Sequence, residues 1–258
     1  MSDEAIDARI DLFLTELRMP SIRRSYRKIG KQVAQHGGDY IAYLHSVLEE
    51  EVNDRRARRI DRRIQEARFP QQKELGQLQA DALPKGVSMA QVFDLAKGDY
   101  LRERTNVIAI GGSGTGKTHL SIGLAIEACR QSKRARFYTA ADLVSEIEEA
   151  QEQHQMHRFL KRFAAWDVVV IDELGYLPLT ERGAELLFQA FSARHEQGSV
   201  IINSNLAFTE WAQVFKTERL AVAMLDRVTH RAHILEMNGE SYRLRTARNR
   251  NKGRRAEA

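Results

Sequence analysis

A single cysteine, Cys129, leaves the chain with no partner for an internal disulfide. It falls on the apolar face of a helical pattern, so burial is expected rather than redox chemistry. No apolar stretch approaches the roughly 20 residues that span a bilayer. The opening Met-Ser-Asp-Glu is acidic, where a signal peptide is basic and then apolar. The histidines, among them His154, His157, His195, His230 and His233, lack metal spacing with cysteine or carboxylate and read as surface or packing residues. There is no internal repeat, and neither a helix-turn-helix nor a zinc-finger pattern. These absences leave a cytoplasmic globular chain with no membrane partner. Its 43% hydrophobic and 29% charged residues suit that class.

What is present is concentrated in two places. Gly111-Gly112-Ser113-Gly114-Thr115-Gly116-Lys117-Thr118 matches G-x-x-x-x-G-K-[ST] in full. It follows a short apolar strand, Val107 to Ile110, and opens an apolar-periodic helix, His119 to Cys129. Glycines there let backbone N–H groups turn inward around a β-phosphate, and a helix N-terminus adds partial positive charge. Lys117 supplies a point charge for the β- and γ-phosphates, and the Thr118 hydroxyl suits Mg²⁺. The segment predicts ATP or GTP binding by residues 111–118 with His119 beside them.

About fifty residues on, Val168-Val169-Val170-Ile171 runs into Asp172-Glu173. Four β-branched residues in a row fit a strand buried on both faces of a parallel sheet. Asp172 then emerges at the carboxyl end, where open α/β sheets bind ligands. It is the candidate Mg²⁺ holder, and Glu173 the candidate base that deprotonates an attacking water. A further strand candidate, Arg136 to Thr139, lies between the two motifs. A strand inserted between the P-loop strand and the acidic strand marks the additional-strand ATPases. No Asn-Lys-x-Asp guanine reader occurs, so ATP hydrolysis is the expectation.

The net charge of +5 is modest, but its distribution is uneven. Arg55, Arg56, Arg58, Arg59, Arg62, Arg63 and Arg68 crowd one stretch; Arg243, Arg245, Arg248, Arg250, Lys252, Arg254 and Arg255 crowd the end. With an isoelectric point near 9.4, the blocks point to a polyanion, and the first six arginines are candidate DNA contacts. A solvated helix face is the alternative, since Asp54, Asp61 and Glu66 stand at helical pairing distances.

Residues 1–69 read as a small helical domain for DNA binding or oligomerisation. Ile10, Phe13, Leu14 and Leu17 form one stripe, and Pro20 breaks it before Ile22 to Val33. Gly37-Gly38 ends the second segment, and Asp39 caps a third that carries Tyr40, Tyr43, Leu44, Val47 and Leu48. Its apolar residues are too few for a large core, so it packs on neighbours or grips a ligand. Residues 70–100 read as a connector, and 101–247 as an alternating strand–helix ATPase domain with a parallel sheet. Later elements are a helix from about Glu181 to His195, a buried strand Val200 to Asn203, and a core-facing turn with Trp211, Val214 and Phe215. A helix from Glu218 to about His230 and a strand His233 to Met237 follow. Residues 248–258 read as a basic disordered tail.

Several runs carry a more specific likeness. Gly114-Thr115-Gly116-Lys117-Thr118-His119-Leu120, Thr139-Ala140-Ala141-Asp142-Leu143, Asp172-Glu173-Leu174-Gly175-Tyr176-Leu177-Pro178-Leu179, Ser204-Asn205 and Gly239-Glu240-Ser241-Tyr242-Arg243-Leu244 closely resemble the IstB family. These are ATP-dependent helpers of insertion-sequence transposition. Leu17-Arg18-Met19-Pro20 and Arg68-Phe69-Pro70 extend the likeness over roughly residues 7–247. The resemblance implies an α/β AAA+ fold close to helicase loaders, and a self-assembled oligomer on duplex DNA with ATP between subunits and a transposase as partner. It also implies roles: Asn205 as the polar sensor that positions water, Arg227 as an arginine finger offered to a neighbour, and Arg243 as a possible second sensor. Ser113 and Asn203 depart from the family pattern, where Pro and Thr are common. A replicative helicase loader acting on single-stranded DNA is the alternative, and a metabolic P-loop kinase a more distant one.

Overall fold

The computed structural model describes residues 2–78, 83–84, 86–176, 178–242 and 244–245. The chain divides into two compact units, residues 1–62 and residues from 63 onward.

The first unit is helical. It comprises α1 (Asp3–Glu16), α2 (Pro20–Gln35) and most of α3 (Tyr40–Ala67). Pro20 opens α2, where its missing N–H costs nothing. The Asp39 carboxylate accepts the Ala42 N–H at 2.8 Å and caps α3. The core is small: Ile22, Tyr26, Ile29 and Val47. Two members of the expected α1 stripe lie outside it, Phe13 at 48% exposure and Leu17 at 60%. Tyr40, Leu44 and Leu48 are also exposed. Helical period identifies an apolar face, but not whether anything covers it.

Glu51 is the polar anchor of this unit. Its buried carboxylate accepts the Ser21 N–H at 2.9 Å and the Ile22 N–H at 3.3 Å, which closes the N-terminus of α2. Arg55 Nε donates to the other oxygen at 2.7 Å. Burial pushes the carboxyl upward, but Arg55 and the two amides outweigh it and hold the group below its ordinary value. A carboxyl depressed in the folded state contributes stability above its unfolded pKa and loses it as pH falls through the folded one. Acid titration followed by circular dichroism is therefore expected to show the first unit melting below the ordinary carboxylate range. Glu51→Gln is expected to be less stable at neutral pH and to lose that acid-dependent step.

The second unit is built on five parallel strands: β1 (Asn106–Ile110), β2 (Ala135–Thr139), β3 (Val168–Leu174), β4 (Ser199–Ser204) and β5 (Ala232–Glu236). Their order in the sheet is β2-β3-β4-β1-β5. The strand lying between the P-loop strand and the acidic strand in space is thus β4. The strand that intervenes in the chain, β2, forms an edge. Before the sheet come a 3-10 turn, Leu75–Gln77, and two helices, α4 (Met89–Ala96) and α5 (Asp99–Arg102). Within and after it lie α6 (Lys117–Arg130), α7 (Ala140–Glu152), α8 (Met156–Ala164), α9 (Glu181–Arg194), α10 (Trp211–Phe215) and α11 (Glu218–Thr229).

Two apolar clusters cover the two sheet faces. Val168 and Val170 enter the cluster of α4 and α6, whereas Val169 and Ile171 enter that of α7 to α11. This alternation is what a strand buried on both sides requires. Trp211, Val214 and Phe215 are buried in the second cluster, as their spacing predicts. Cys129 is wholly buried, and burial pushes its thiol up to about 11. The region 70–100 is more structured than a connector. Ser88 and Gln91 form a capping box that starts α4, with Val92 and Leu95 facing inward. Leu75 seats on Gly123 of α6, where an added Cβ would lie 2.5 Å from Leu75 Cδ2.

Candidate nucleotide site

Parallel pairing of β1, β3 and β4 brings their carboxyl ends to one edge of the sheet. The loop 111–116 leaves β1 there and turns into α6. Gly116, at φ +95°, supplies the left-handed residue that starts the helix. Thr115 is buried, and its hydroxyl donates to the Gly112 carbonyl at 3.0 Å, which tightens the loop. The Lys117 ammonium donates to the carbonyls of Gly111 at 2.6 Å and Gly112 at 2.7 Å. Burial lowers its pKa, and Asp172 opposes that shift. The Tyr242 N–H donates to the Gly114 carbonyl at 3.0 Å, tying the segment after β5 to the loop.

Asp172 and Glu173 are neighbours in a strand, so regular pleating would aim them at opposite faces. The ladder between β3 and β4 is irregular after Ile171, and Glu173 adopts φ +62°. This left-handed residue is costly for any non-glycine and re-aims the chain. As a result both carboxylates line the same cleft. The Glu173 N–H donates to Asp172 Oδ1 at 3.0 Å.

The cleft has a volume of about 650 Å³, within the range of small-molecule sites. It gathers residues 112–119 with Asp172, Glu173 and Asn205. Gly111 is buried beneath the loop. His119 also braces the cleft wall, because its Nε2 lies 2.9 Å from the Glu74 carbonyl, which makes it the donor and holds the preceding segment against α6. That segment brings Lys73, Gln77 and Leu78 into the cleft, and Tyr176, Asn203 and Tyr242 line it too. Sequence reasoning assigned no site role to these six. Gln77 sits in a short turn where its Oε1 accepts the Glu74 N–H at 3.3 Å.

Arg227 is elsewhere. It sits in the last turn of α11 and lines a small hollow with Asn106, Arg194, His195, His230 and Arg231, at the end where β1 and β4 begin. Its guanidinium lies 4.9 Å from the centroid of the Phe188 ring and makes no ion pair among the described residues. Arg243 lies outside the described residues, as does the tail 248–258.

Mg²⁺ is a hard cation that prefers oxygen donors and keeps several waters, so it needs few protein ligands. The Thr118 hydroxyl and Asp172 fit. Asp172 Oδ1 accepts two hydrogen bonds, while Oδ2 accepts none among the described residues. No cluster of three or more His, Cys, Asp or Glu suited to a metal occurs among the described residues.

The candidate DNA arginines on α3 do not behave alike. Arg55 is engaged with Glu51 and also donates to the Arg18 carbonyl at 2.6 Å. Arg58 reaches the Asp54 carbonyl at 3.2 Å and Glu51 at 3.5 Å. Arg63 is half-buried. Arg56, Arg59 and Arg62 are exposed, with no ion pair among the described residues.

Known proteins resemble this chain in sequence and in fold. A protein from Geobacillus stearothermophilus, named as an ATP-binding protein of insertion sequence IS5376, is 32% identical over 240 residues, covering 93% of this chain and 95% of that one. One from Sinorhizobium fredii, named as an insertion-sequence ATP-binding protein, is 34% identical over 242 residues, covering 93% and 81%. Among solved structures, AMPPCP-bound DnaA from Aquifex aeolicus superposes with a TM-score of 0.53 at 20% identity, over 66% of this chain. The match spans about half of that DnaA, 51%. DnaI superposes with a TM-score of 0.52 at 16% identity, over 66% of this chain and 89% of its own. Likeness at such identity speaks for the fold, which is the additional-strand P-loop arrangement of AAA+ proteins. The model of the IstB-like ATP binding protein family matches residues 13–250, and the chain belongs to that family.

Proposed function

We propose that this protein is an AAA+ ATPase that binds ATP with Mg²⁺, assembles with copies of itself on duplex DNA, and presents that DNA to a transposase in the movement of an insertion sequence. The observation that carries the reading is the convergence of the P-loop, Asp172, Glu173 and Asn205 on one cleft while Arg227 stands at the other end of the sheet. Lys117 exchanges its two loop carbonyls for β- and γ-phosphate oxygens. Thr118 and Asp172 would hold Mg²⁺, which would neutralise charge on the phosphates. Glu173 takes a proton from the attacking water, and Asn205 orients that water. Arg227 serves the γ-phosphate of an adjacent subunit, so hydrolysis reports on assembly. Relatives named for insertion sequences support the transposition setting. Electron microscopy with ATP, with and without duplex or single-stranded DNA, tests the reading. Assembly on duplex supports it, whereas assembly only on single strands favours a helicase loader.

The DNA arm of the reading rests on charge, and the structure narrows which charges to test. Among the described residues, Arg56, Arg59 and Arg62 are exposed and have no ion pair. Replacing all three by glutamine is expected to weaken every duplex alike and to reduce the salt slope of binding by up to about 2.7, at about 0.9 per phosphate contact. Arg55→Gln with Arg58→Gln is expected to lower the melting temperature of the first unit, because both side chains engage Glu51. Fluorescence anisotropy across a salt series measures the slopes; an unchanged slope in the triple variant removes this face from the DNA site.

A further inference from the structure

Asn203 is a wholly buried amide in β4, following the apolar run Val200, Ile201 and Ile202. A polar side chain there is costly unless its hydrogen bonds are met. They are met in a directed way. Asn203 Nδ2 donates to Asp172 Oδ1 at 3.0 Å, and its Oδ1 accepts from Ser121 Oγ at 2.6 Å. The orientation of the amide is fixed by chemistry, because an ionised carboxylate only accepts, so the NH₂ group must face Asp172. Ser121 lies one turn into α6, with its hydroxyl also 3.0 Å from the Lys117 carbonyl. A continuous relay therefore runs from the helix that carries Lys117 and Thr118, through Ser121 and Asn203, to Asp172.

We infer that Asn203 is a positioning residue that selects which oxygen of Asp172 meets the cation of a metal–nucleotide complex. Asp172 Oδ1 is occupied by Asn203 Nδ2 and by the Glu173 N–H, both at 3.0 Å. Among the described residues no donor reaches Oδ2, on a carboxylate whose rotation is blocked by two donors. The same relay holds β3 in register with the start of α6, so the distance between the Asp172 and Thr118 donors is set before any ligand arrives. This inference rests on the ATP–Mg²⁺ reading of the cleft and deepens it. A satisfied core amide with no role beyond packing would affect stability alone. A positioning amide affects the linkage between metal and nucleotide.

The two roles separate in a binding experiment. A fluorescent ATP analogue is titrated in EDTA and across a Mg²⁺ series against the parent, Asn203→Leu and Ser121→Ala, each checked for folding by thermal melting. Partners that orient metal ligands typically contribute 10–100-fold in metal affinity. The expected result for Asn203→Leu is an affinity in EDTA within about twofold of the parent, with the Mg²⁺ midpoint raised about 10–100-fold. Ser121→Ala is expected to move the midpoint the same way by a smaller factor. A folded Asn203→Leu protein with the parental Mg²⁺ midpoint overturns the inference. Should that variant not fold, Ser121→Ala decides, and an unchanged midpoint overturns it equally. If Mg²⁺ does not raise affinity in the parent, the ATP–Mg²⁺ reading fails and takes the inference with it. If the parent responds and the variants match it, only the inference fails.

Discussion

Arg227→Ala is expected to bind ATP as the parent does and to hydrolyse it about 10³–10⁵-fold more slowly, the usual contribution of an arginine finger. If Arg227 is the finger proposed above, its position assigns the loss to a neighbouring subunit. Helix α11 leads into β5, which runs parallel to β1, so its last turn lies where β1 begins. The phosphate cradle lies where β1 ends. Five strand residues at about 3.3 Å each put the two roughly 16 Å apart along the sheet, too far for Arg227 to reach its own cleft. Loss of the Phe188 contact costs on the order of 0.5–1 kcal/mol of stability. The rate effect corresponds to about 4–7 kcal/mol of barrier, so folding and catalysis are readily told apart. Mixing Arg227→Ala with Lys117→Ala subunits is expected to restore part of the activity, since an intact finger then meets an intact cradle across some interfaces. Phosphate release measured over a range of mixing ratios checks this. Absence of rescue from folded, associating variants would exclude a shared site.

The elements with chemistry in them were legible in the sequence, because that chemistry constrains residue type and spacing together. The P-loop, its flanking strand and the run Val168 to Asp172 needed only the motif and the β-branched stretch. The burial of Trp211, Val214 and Phe215 followed from helical spacing. Helix α4, inside the stretch that reads as a connector, is spelled by the cap residues Ser88 and Gln91. The start of α7 was likewise present in Thr139, whose hydroxyl accepts the Asp142 N–H at 3.1 Å. Two features were not legible, because tertiary contacts decide them. The left-handed turn at Glu173 depends on how β3 leaves β4, and nothing local favours a glutamate there. The role of Asn203, a departure from the family pattern with no evident reason in the sequence, depends on Ser121, 82 residues away, and on Asp172, 31 away. On α1, the apolar stripe was visible, but the exposure of Phe13 and Leu17 was not, since a stripe is the same whether covered or bare.

Lys117→Ala and Glu173→Gln are expected to fail in opposite ways. In the proposed role Lys117 places its charge against ground-state phosphates, so its removal should weaken ATP binding by at least about 10–100-fold, the value of a single hydrogen bond to a charged group. In the proposed role Glu173 acts on water only as the bond to phosphorus forms, so Glu173→Gln should keep the affinity of the parent and lose about 10²–10⁴ in turnover. Glutamine has the shape of glutamate and accepts the same φ of +62° at the same cost, so the local backbone is left alone. A third variant guards against misreading a folding defect as a chemical one. Glu173→Gly relieves the left-handed strain of a side chain, at roughly 1–2 kcal/mol, against a comparable loss of chain entropy. Its melting temperature should equal or exceed that of the parent while turnover is still lost. Equilibrium binding of a fluorescent ATP analogue, steady-state phosphate release and thermal melting on the three proteins separate these outcomes. Parental turnover in Glu173→Gln would transfer the role of base to another residue. A melting temperature that falls in Glu173→Gly would mean that the turn is held by the glutamate side chain itself rather than imposed on it by the end of the sheet.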